Sequence, residues 1–272
     1  MGGGRTPRET AGGGVSAQPE AGEPRRFRAR VEYDGTDFYG FQVQATERTV
    51  QGEIERALEA ITGAETRVVG AGRTDRGVHA RGQVVSFSVV WRHGLSDLHR
   101  ALNAVLAADV AILDLDLAPE GFHPRFSALR RAYRYTVLNR QWPSPLERRT
   151  AWQVTGKLDL EGMTEASQSL IGTQDFGTFG QPPQGENTVR TVFRAEWQAD
   201  GARLWFDIEA NAFLYRMVRS IVGTLVQVGR GQLSPQEVAS FLRARDRSLV
   251  KQVAPAHGLC LMQVDYVARE GV

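Results

Sequence analysis

Between Phe27 and Leu117 the apolar residues change period in a fixed order, and that order restricts the fold more than any other property of the chain. Phe27 to Tyr33 alternates large apolar and charged side chains, as a half-buried strand does. Asp34-Gly35 then marks a turn. Ile54, Leu58 and Ile61 fall at helical spacing within Val50 to Ile61. Arg67 to Gly70 and Gln83 to Val89 read as strands on either side of a polar, glycine-containing loop. Leu95 to Leu106 reads as a helix and Val110 to Leu117 as a strand. The order is strand, helix, strand, strand, helix, strand. It then recurs: a strand at Arg131 to Leu138, a helix at Leu158 to Ile171, and a hairpin of Val189 to Gln198 with Arg203 to Glu209 around Asp200-Gly201. A long helix at Phe213 to Val228, a shorter one from Ser234-Pro235 and a closing strand at Leu259 to Val267 complete it. The fold class expected is α+β: two βαββαβ ferredoxin-like halves, 27–127 and 128–272, joined into one mostly antiparallel sheet with a groove between them.

Residues 1–26 stand apart. Glycines at 2–4 and 12–14, three prolines and few large apolar side chains cannot offset the entropy of ordering, so a disordered tail is expected there. Arg25, Arg26, Arg28 and Arg30 stand where the fold begins and are candidates for RNA contact. The chain as a whole is 42% hydrophobic, enough for one large or two modest cores. Lys157 and Lys251 are the only lysines among 33 basic residues. Such arginine bias suits bidentate phosphate contacts and stacking on bases, and equally a GC-biased genome or a heat-loving host. Cys260, the only cysteine, sits in the apolar run Leu259-Cys260-Leu261-Met262, which argues for an inert buried thiol and against disulfides or Cys-rich metal sites. No stretch approaches the ~20 apolar residues of a membrane span, and no secretory apolar core opens the chain. A soluble cytoplasmic protein is expected.

The most unusual segment is Gly70-Ala71-Gly72-Arg73-Thr74-Asp75-Arg76-Gly77-Val78-His79-Ala80. Glycines at 70, 72 and 77 permit positive φ and close backbone approach. An acid between Arg73 and Arg76 is expected to be ionised at neutral pH. An ionised carboxylate flanked by arginines suits nucleophilic attack on a phosphate-bearing substrate; an aspartate capping a glycine-rich turn has the same pattern. The loop lacks the Gly-Lys-Ser/Thr ending of a P-loop and precedes a strand, which argues against nucleotide binding. The five histidines show no metal-ligand spacing. Asp175-Phe176-Gly177 lacks every other kinase element and reads as a turn. The Pro- and Gln-rich loop from Gln181 to Asn187 is a further candidate for RNA contact.

Gly72-Arg73-Thr74-Asp75-Arg76-Gly77-Val78-His79-Ala80 resembles the signature of the tRNA pseudouridine synthase A family. Three other segments resemble that family in register: Tyr33-Asp34-Gly35-Thr36 with Tyr39-Gly40-Phe41-Gln42, Phe122 to Ala128 with Tyr133-Arg134-Tyr135, and Asn211 to Gly223. Together they cover essentially residues 28 to 268. Phe41 stands where the family more often shows tryptophan, and Ala132 where a basic residue is usual.

The resemblance implies an isomerase that converts uridine to pseudouridine at tRNA positions 38, 39 and 40 in the anticodon stem-loop. It implies no metal and no cofactor, a homodimer as the assembly, and transfer RNA as the partner. Residue by residue, it makes Asp75 the catalytic nucleophile and Tyr133 the ring that stacks on the target base and helps remove the C5 proton. Arg219 is implied to pair with Asp75 across the groove, and Arg73 to fill the space left by the extruded nucleotide or to hold its phosphate. From the residues alone, Tyr133 reads rather as a core strand residue, and Arg216 with Arg219 as a solvated helix face. A non-catalytic RNA-binding module would keep Tyr133 and the arginines without needing Asp75.

Overall fold

The computed structural model describes Met1 and residues 22–266. The expectation of a disordered tail falls on residues 2–21, outside the described residues. The fold begins two residues earlier than expected, with strand β1 at Arg25–Tyr33. Its buried positions are Phe27, Ala29, Val31 and Tyr33, so the alternation of the sequence is the alternation of its two faces.

Helix α1 (Val50–Thr62) follows, capped by the Thr49 hydroxyl, which accepts from Gly52 N–H, and stopped by Gly63 in the left-handed region at φ 71. Strands β2 (Val69–Gly70) and β3 (His79–Val89) flank the glycine-rich loop. Helix α2 (Leu95–Val105) and β4 (Val110–Leu117) complete the first run. The second run comprises β5 (Arg130–Asn139), β6 (Trp152–Val154), α3 (Leu160–Gln168), β7 (Gly172–Asp175), β8 (Val189–Asp200), β9 (Arg203–Ala210), α4 (Met217–Gly229), α5 (Pro235–Ala244) and β10 (Leu259–Asp265). Ser234 and Glu237 form the capping box that starts α5.

All ten strands join one mostly antiparallel sheet in the order β4-β1-β3-β10-β5-β9-β8-β7, with β2 also paired to β3 and β6 to β5. The protein is therefore α+β with five α-helices among the described residues. One junction is parallel and short. Cys260 pairs with His79 and Leu261 with Ala80, which brings the last strand of the chain beside the residues that end the glycine-rich loop.

Two apolar cores lie against the sheet. Ile54, Leu58, Leu98 and Leu102 from α1 and α2 pack with Phe27, Val31 and Phe87. Met163, Ile221 and Leu225 from α3 and α4 pack with Tyr135, Val137 and Phe206. Tyr133 touches both cores. The other side of the sheet is polar: Arg28 pairs with Asp116, Arg30 with Asp114 and Arg134 with Asp207. Cys260 is half-buried rather than fully enclosed, and burial pushes its thiol up to about 11, which keeps it protonated and unreactive at neutral pH.

Three departures from the periodicity have physical causes. Strands β6 and β7 are three and four residues long, too short to show a period of two. Phe213 and Leu214 fit helical spacing but precede α4, because Arg216 adopts the left-handed region and the helix begins only at Met217. Asp175 ends β7 and its Oδ1 accepts from Gly177 N–H at 2.8 Å, so the turn expected there is present.

Helix α4 runs close against the segment before β10. A Cβ built on Gly223 would lie 2.1 Å from the carbonyl oxygen of Gln252. Gly223→Ala is therefore expected to destabilise the protein by about 1–3 kcal/mol. Differential scanning calorimetry should show Tm lower by about 5 °C; an unchanged Tm would mean that this approach is not tight in solution.

Candidate active site

The loop between β2 and β3 is fixed by its main chain on three sides. Ala71 N–H donates to Val84 O at 2.8 Å, and Gly72 O accepts from the Gln83 amide at 2.9 Å. Thr74 O accepts from Phe41 N–H at 3.1 Å, while the hydroxyls of Thr74 and Tyr33 lie 2.8 Å apart in the core. Burial raises the Tyr33 phenol well above its usual range, so that hydroxyl stays a neutral partner. Gly40, at φ 92, allows the opening segment to pass so near that a Cβ there would lie 2.7 Å from Thr74 O.

The three glycines of the loop do different jobs. Gly77 alone takes positive φ, at 79°. Gly70 has the ring of Phe41 where its Cβ would be, at 2.5 Å, so the phenylalanine at position 41 packs directly on the loop. Gly72 has neither feature: nothing lies within 4 Å of a Cβ built there.

His79 closes the loop from below. Its Nδ1 accepts from Gly35 N–H at 3.0 Å, and Nε2 faces Arg149 O at 2.8 Å and His257 O at 3.1 Å. Nδ1 also lies 3.1 Å from Asp34 Oδ1. His79 is thus a structural tie between the loop, the 149 region and the turn before β10.

Held in this way, Asp75 faces Arg219 from the start of α4. Arg219 Nη1 donates to Asp75 Oδ2 at 2.9 Å, and Arg219 Nε donates to Ala254 O at 2.8 Å. The two side chains keep 21% and 16% of their surface exposed. Asp75 is thus paired with an arginine from the distant helix and not with its chain neighbours. Arg73 is exposed with no hydrogen-bond or ion-pair partner among the described residues, and Arg76 lies over the ring of Tyr39.

The pair lies in a cleft of about 950 Å³. Among the described residues its lining includes eight arginines and a single carboxylate, that of Asp75. Arg73, Tyr133 and Arg219 all line it, so the structure brings together all four residues singled out in the sequence. Tyr133 and Tyr135 share the inward face of β5 but differ in surroundings. Tyr135 is fully buried and donates to Pro255 O at 2.8 Å, whereas Tyr133 is half-buried at the cleft wall, its ring edge-on to Phe213 at 5.1 Å. Burial chiefly, with the neighbouring Tyr33 and Asp75 adding to it, raises the Tyr133 phenol above its ordinary value. Gln181, Pro182 and Pro183 reach the same cleft, while Arg25, Arg26, Arg28 and Arg30 do not line it.

A model of the tRNA pseudouridine synthase family matches residues 29–127 and 166–267. The chain belongs to the tRNA pseudouridine synthase family. It is 46% identical to tRNA pseudouridine synthase A of Roseiflexus castenholzii over 248 residues, covering 89% of this chain and 91% of the relative. It is 45% identical to that of Caulobacter vibrioides, covering 89% and 98%, and 41% identical to that of Bacillus subtilis, covering 89% and 99%.

For a member of the tRNA pseudouridine synthase family, one residue of this cleft escaped the sequence reading. Arg131 donates to four main-chain carbonyls: Arg125 at 2.6 Å, Asn211 at 2.7 Å, and Ala71 and Ala128 at 3.2 Å each. It joins the glycine-rich loop, the Phe122–Ala128 segment and the end of β9 without a carboxylate partner among the described residues. Burial lowers its pKa below the usual arginine value, although a guanidinium still keeps its proton at neutral pH. The signal was present: on β5, Arg131 shares the inward face with Tyr133 and Tyr135, and a charge on an apolar face calls for an explanation. Arg131→Met is expected to leave these carbonyls without donors and to cost about 2 kcal/mol net, given partial rehydration from the cleft. Chemical denaturation should show the transition midpoint moving down; an unmoved midpoint would mean that the staple contributes nothing.

Proposed function

We propose that this protein isomerises uridine to pseudouridine in the anticodon stem-loop of tRNA, at positions 38, 39 and 40, with Asp75 as nucleophile. The observation that carries the reading is the Asp75–Arg219 pair as the only carboxylate-bearing element in an arginine-lined cleft. The reaction breaks the bond between ribose C1′ and uracil N1, turns the base over and forms the bond between C1′ and C5. The C5 proton leaves and N1 gains one, so nothing is oxidised or hydrolysed and the chemistry itself calls for no metal or cofactor. Any step that needs a carboxylate, whether attack on the sugar, attack on the base or removal of a sugar proton, is assigned to Asp75, because no other carboxylate among the described residues lines the cleft.

Arg219 orients that carboxylate by direct donation. The arginines hold the phosphates that Asp75 alone would repel. Arg73, exposed and unpartnered, is free to follow the nucleotide, either filling its vacated space or binding its phosphate. Tyr133 offers a ring face for the extruded base. Its raised phenol is protonated at neutral pH, so it can take the C5 proton only after giving its own to the position that gains one in the reaction, N1 of the detached uracil.

The halves 27–127 and 128–272 are read as two ferredoxin-like units. Support comes from strand order: β4-β1-β3-β2 on one side of the parallel junction, and β10-β5-β9-β8 on the other. Leaving aside the short β6 and β7, each has the first strand between fourth and third and the second beyond the third; β7 then extends the second half past β8. A homodimer is the assembly proposed, in keeping with Trp142 and Leu146 standing exposed in the loop after β5. A tRNA substrate implies a cytoplasmic location.

Tritium release from C5-labelled uridine in tRNA tests the reading. Asp75→Asn is expected to drop release to background while filter binding of tRNA holds within a few-fold. Should the wild-type protein bind tRNA and release no tritium, a binding module is the better description. Tyr133→Phe keeps the ring and is expected to leave binding unchanged while slowing release by about 10²-fold. An undiminished rate would remove the hydroxyl from the mechanism and leave Tyr133 a stacking surface.

A further inference from the structure

Two aromatic side chains, one from the segment before α1 and one from the segment before α4, line the cleft, and each carries a guanidinium over its ring. Arg76 lies 3.9 Å from the centroid of Tyr39, and Arg216 lies 4.9 Å from that of Tyr215. Neither arginine has an acidic partner among the described residues. Tyr39 is 37% exposed and Tyr215 49%, and all four residues line the cleft. The main chain fixes both rings in place. Tyr39 N–H donates to Arg48 O at 2.9 Å, and Tyr215 N–H donates to Gln181 O at 2.8 Å.

Arg216 adds an independent observation. It caps the N-terminus of α4 in the left-handed region, with φ 62 and ψ 5, and carries a Cβ that disfavours this conformation. Glycine would take the same turn without strain. An exposed cation–π pair adds little stability that could offset the strain. Backbone strain of this kind clusters where a side chain must be aimed for function. Here it aims a guanidinium over Tyr215, three residues before the arginine that holds Asp75.

The positions relative to Asp75 are matched. Arg76 follows Asp75 directly in the chain, and Arg216 is one helical turn before Arg219. The Asp75–Arg219 pair therefore has one aromatic–arginine stack rooted beside each of its members.

We propose that Tyr39–Arg76 and Tyr215–Arg216 are stacking platforms for the two nucleobases that flank the extruded uridine in single-stranded or opened RNA. The inference rests on the proposed function, since it takes the target nucleotide to occupy the space at Asp75. Each platform supplies a flat π-surface for any base and a cation for the adjoining phosphate. Recognition of this type tolerates sequence, as an enzyme acting at several neighbouring positions needs.

The test uses the full-length protein and a stem-loop RNA carrying 2-aminopurine immediately 5′ or 3′ of the target uridine. In the wild-type complex both probes are expected to remain quenched, because each neighbour exchanges RNA stacking for an aromatic ring. Tyr39→Ala should raise the fluorescence of one probe and Tyr215→Ala that of the other, each weakening Kd about tenfold. Tyr39→Phe and Tyr215→Phe should restore quenching and affinity. Arg216→Gly relieves the backbone strain, so its Tm should hold or rise while RNA affinity falls. The platforms are refuted if both alanine variants match the wild type in fluorescence and Kd, or if Arg216→Gly binds as the wild type does, while the wild type releases tritium normally. A wild type that releases no tritium strikes the proposed function instead.

Discussion

The ion pair between Asp75 and Arg219 joins residues 144 positions apart, and every other feature of the cleft is arranged around it. A pair this far from bulk water gains little net stability, since the cost of taking two charges partly out of solvent offsets most of their attraction. Its value is geometric. One member stands on a loop pinned by Val84, Gln83 and Phe41, the other at the first turn of α4, where Ala254 O holds the guanidinium from behind. A carboxylate fixed at both ends needs no reorganisation when charge develops beside it, and that is the form in which electrostatics contributes most to a reaction.

The parallel junction of β3 and β10 makes this possible. Two register pairs, His79 with Cys260 and Ala80 with Leu261, place the end of the loop beside the end of the chain. The segment before β10 supplies Ala254 to Arg219 and, through the turn at Ala256–Gly258, the carbonyl of His257 to His79. A single stretch of chain therefore buttresses both partners. Arg131 does the same from the other side, its four carbonyl acceptors coming from three separate segments.

Where a segment buries one face over its whole length, its sequence alone shows what it is. Strand β1 and helix α1 are examples, with apolar side chains at period two and at helical spacing. Elements that exist only through tertiary pairing leave no such trace: β2 is two residues, β6 three, and the β3–β10 junction pairs residues 181 positions apart, His79 with Cys260. Phe213 misled in the other direction. Its spacing is helical, yet it forms cleft wall against Tyr133, and the helix waits for the left-handed Arg216. The site was legible as a set of motifs, but the partner of Asp75 could not be derived from local sequence. Arg73 and Arg76 are nearer along the chain, and the loop turns both toward other surroundings. The resemblance to a family, not periodicity, pointed to Arg219.

Charge is segregated in this molecule, and the segregation explains how a chain of net charge +2 can hold a polyanion. Acidic residues are spent on the polar side of the sheet, where Asp114, Asp116 and Asp207 each face an arginine. The cleft retains eight guanidiniums against one carboxylate. Such a concentration in a concave site focuses the field that draws phosphate inward, although the molecule as a whole is nearly neutral. The same arrangement limits where chemistry can occur. Among the described residues Asp75 is the one carboxylate in that lining, so the nucleophilic role proposed for it has no competitor there.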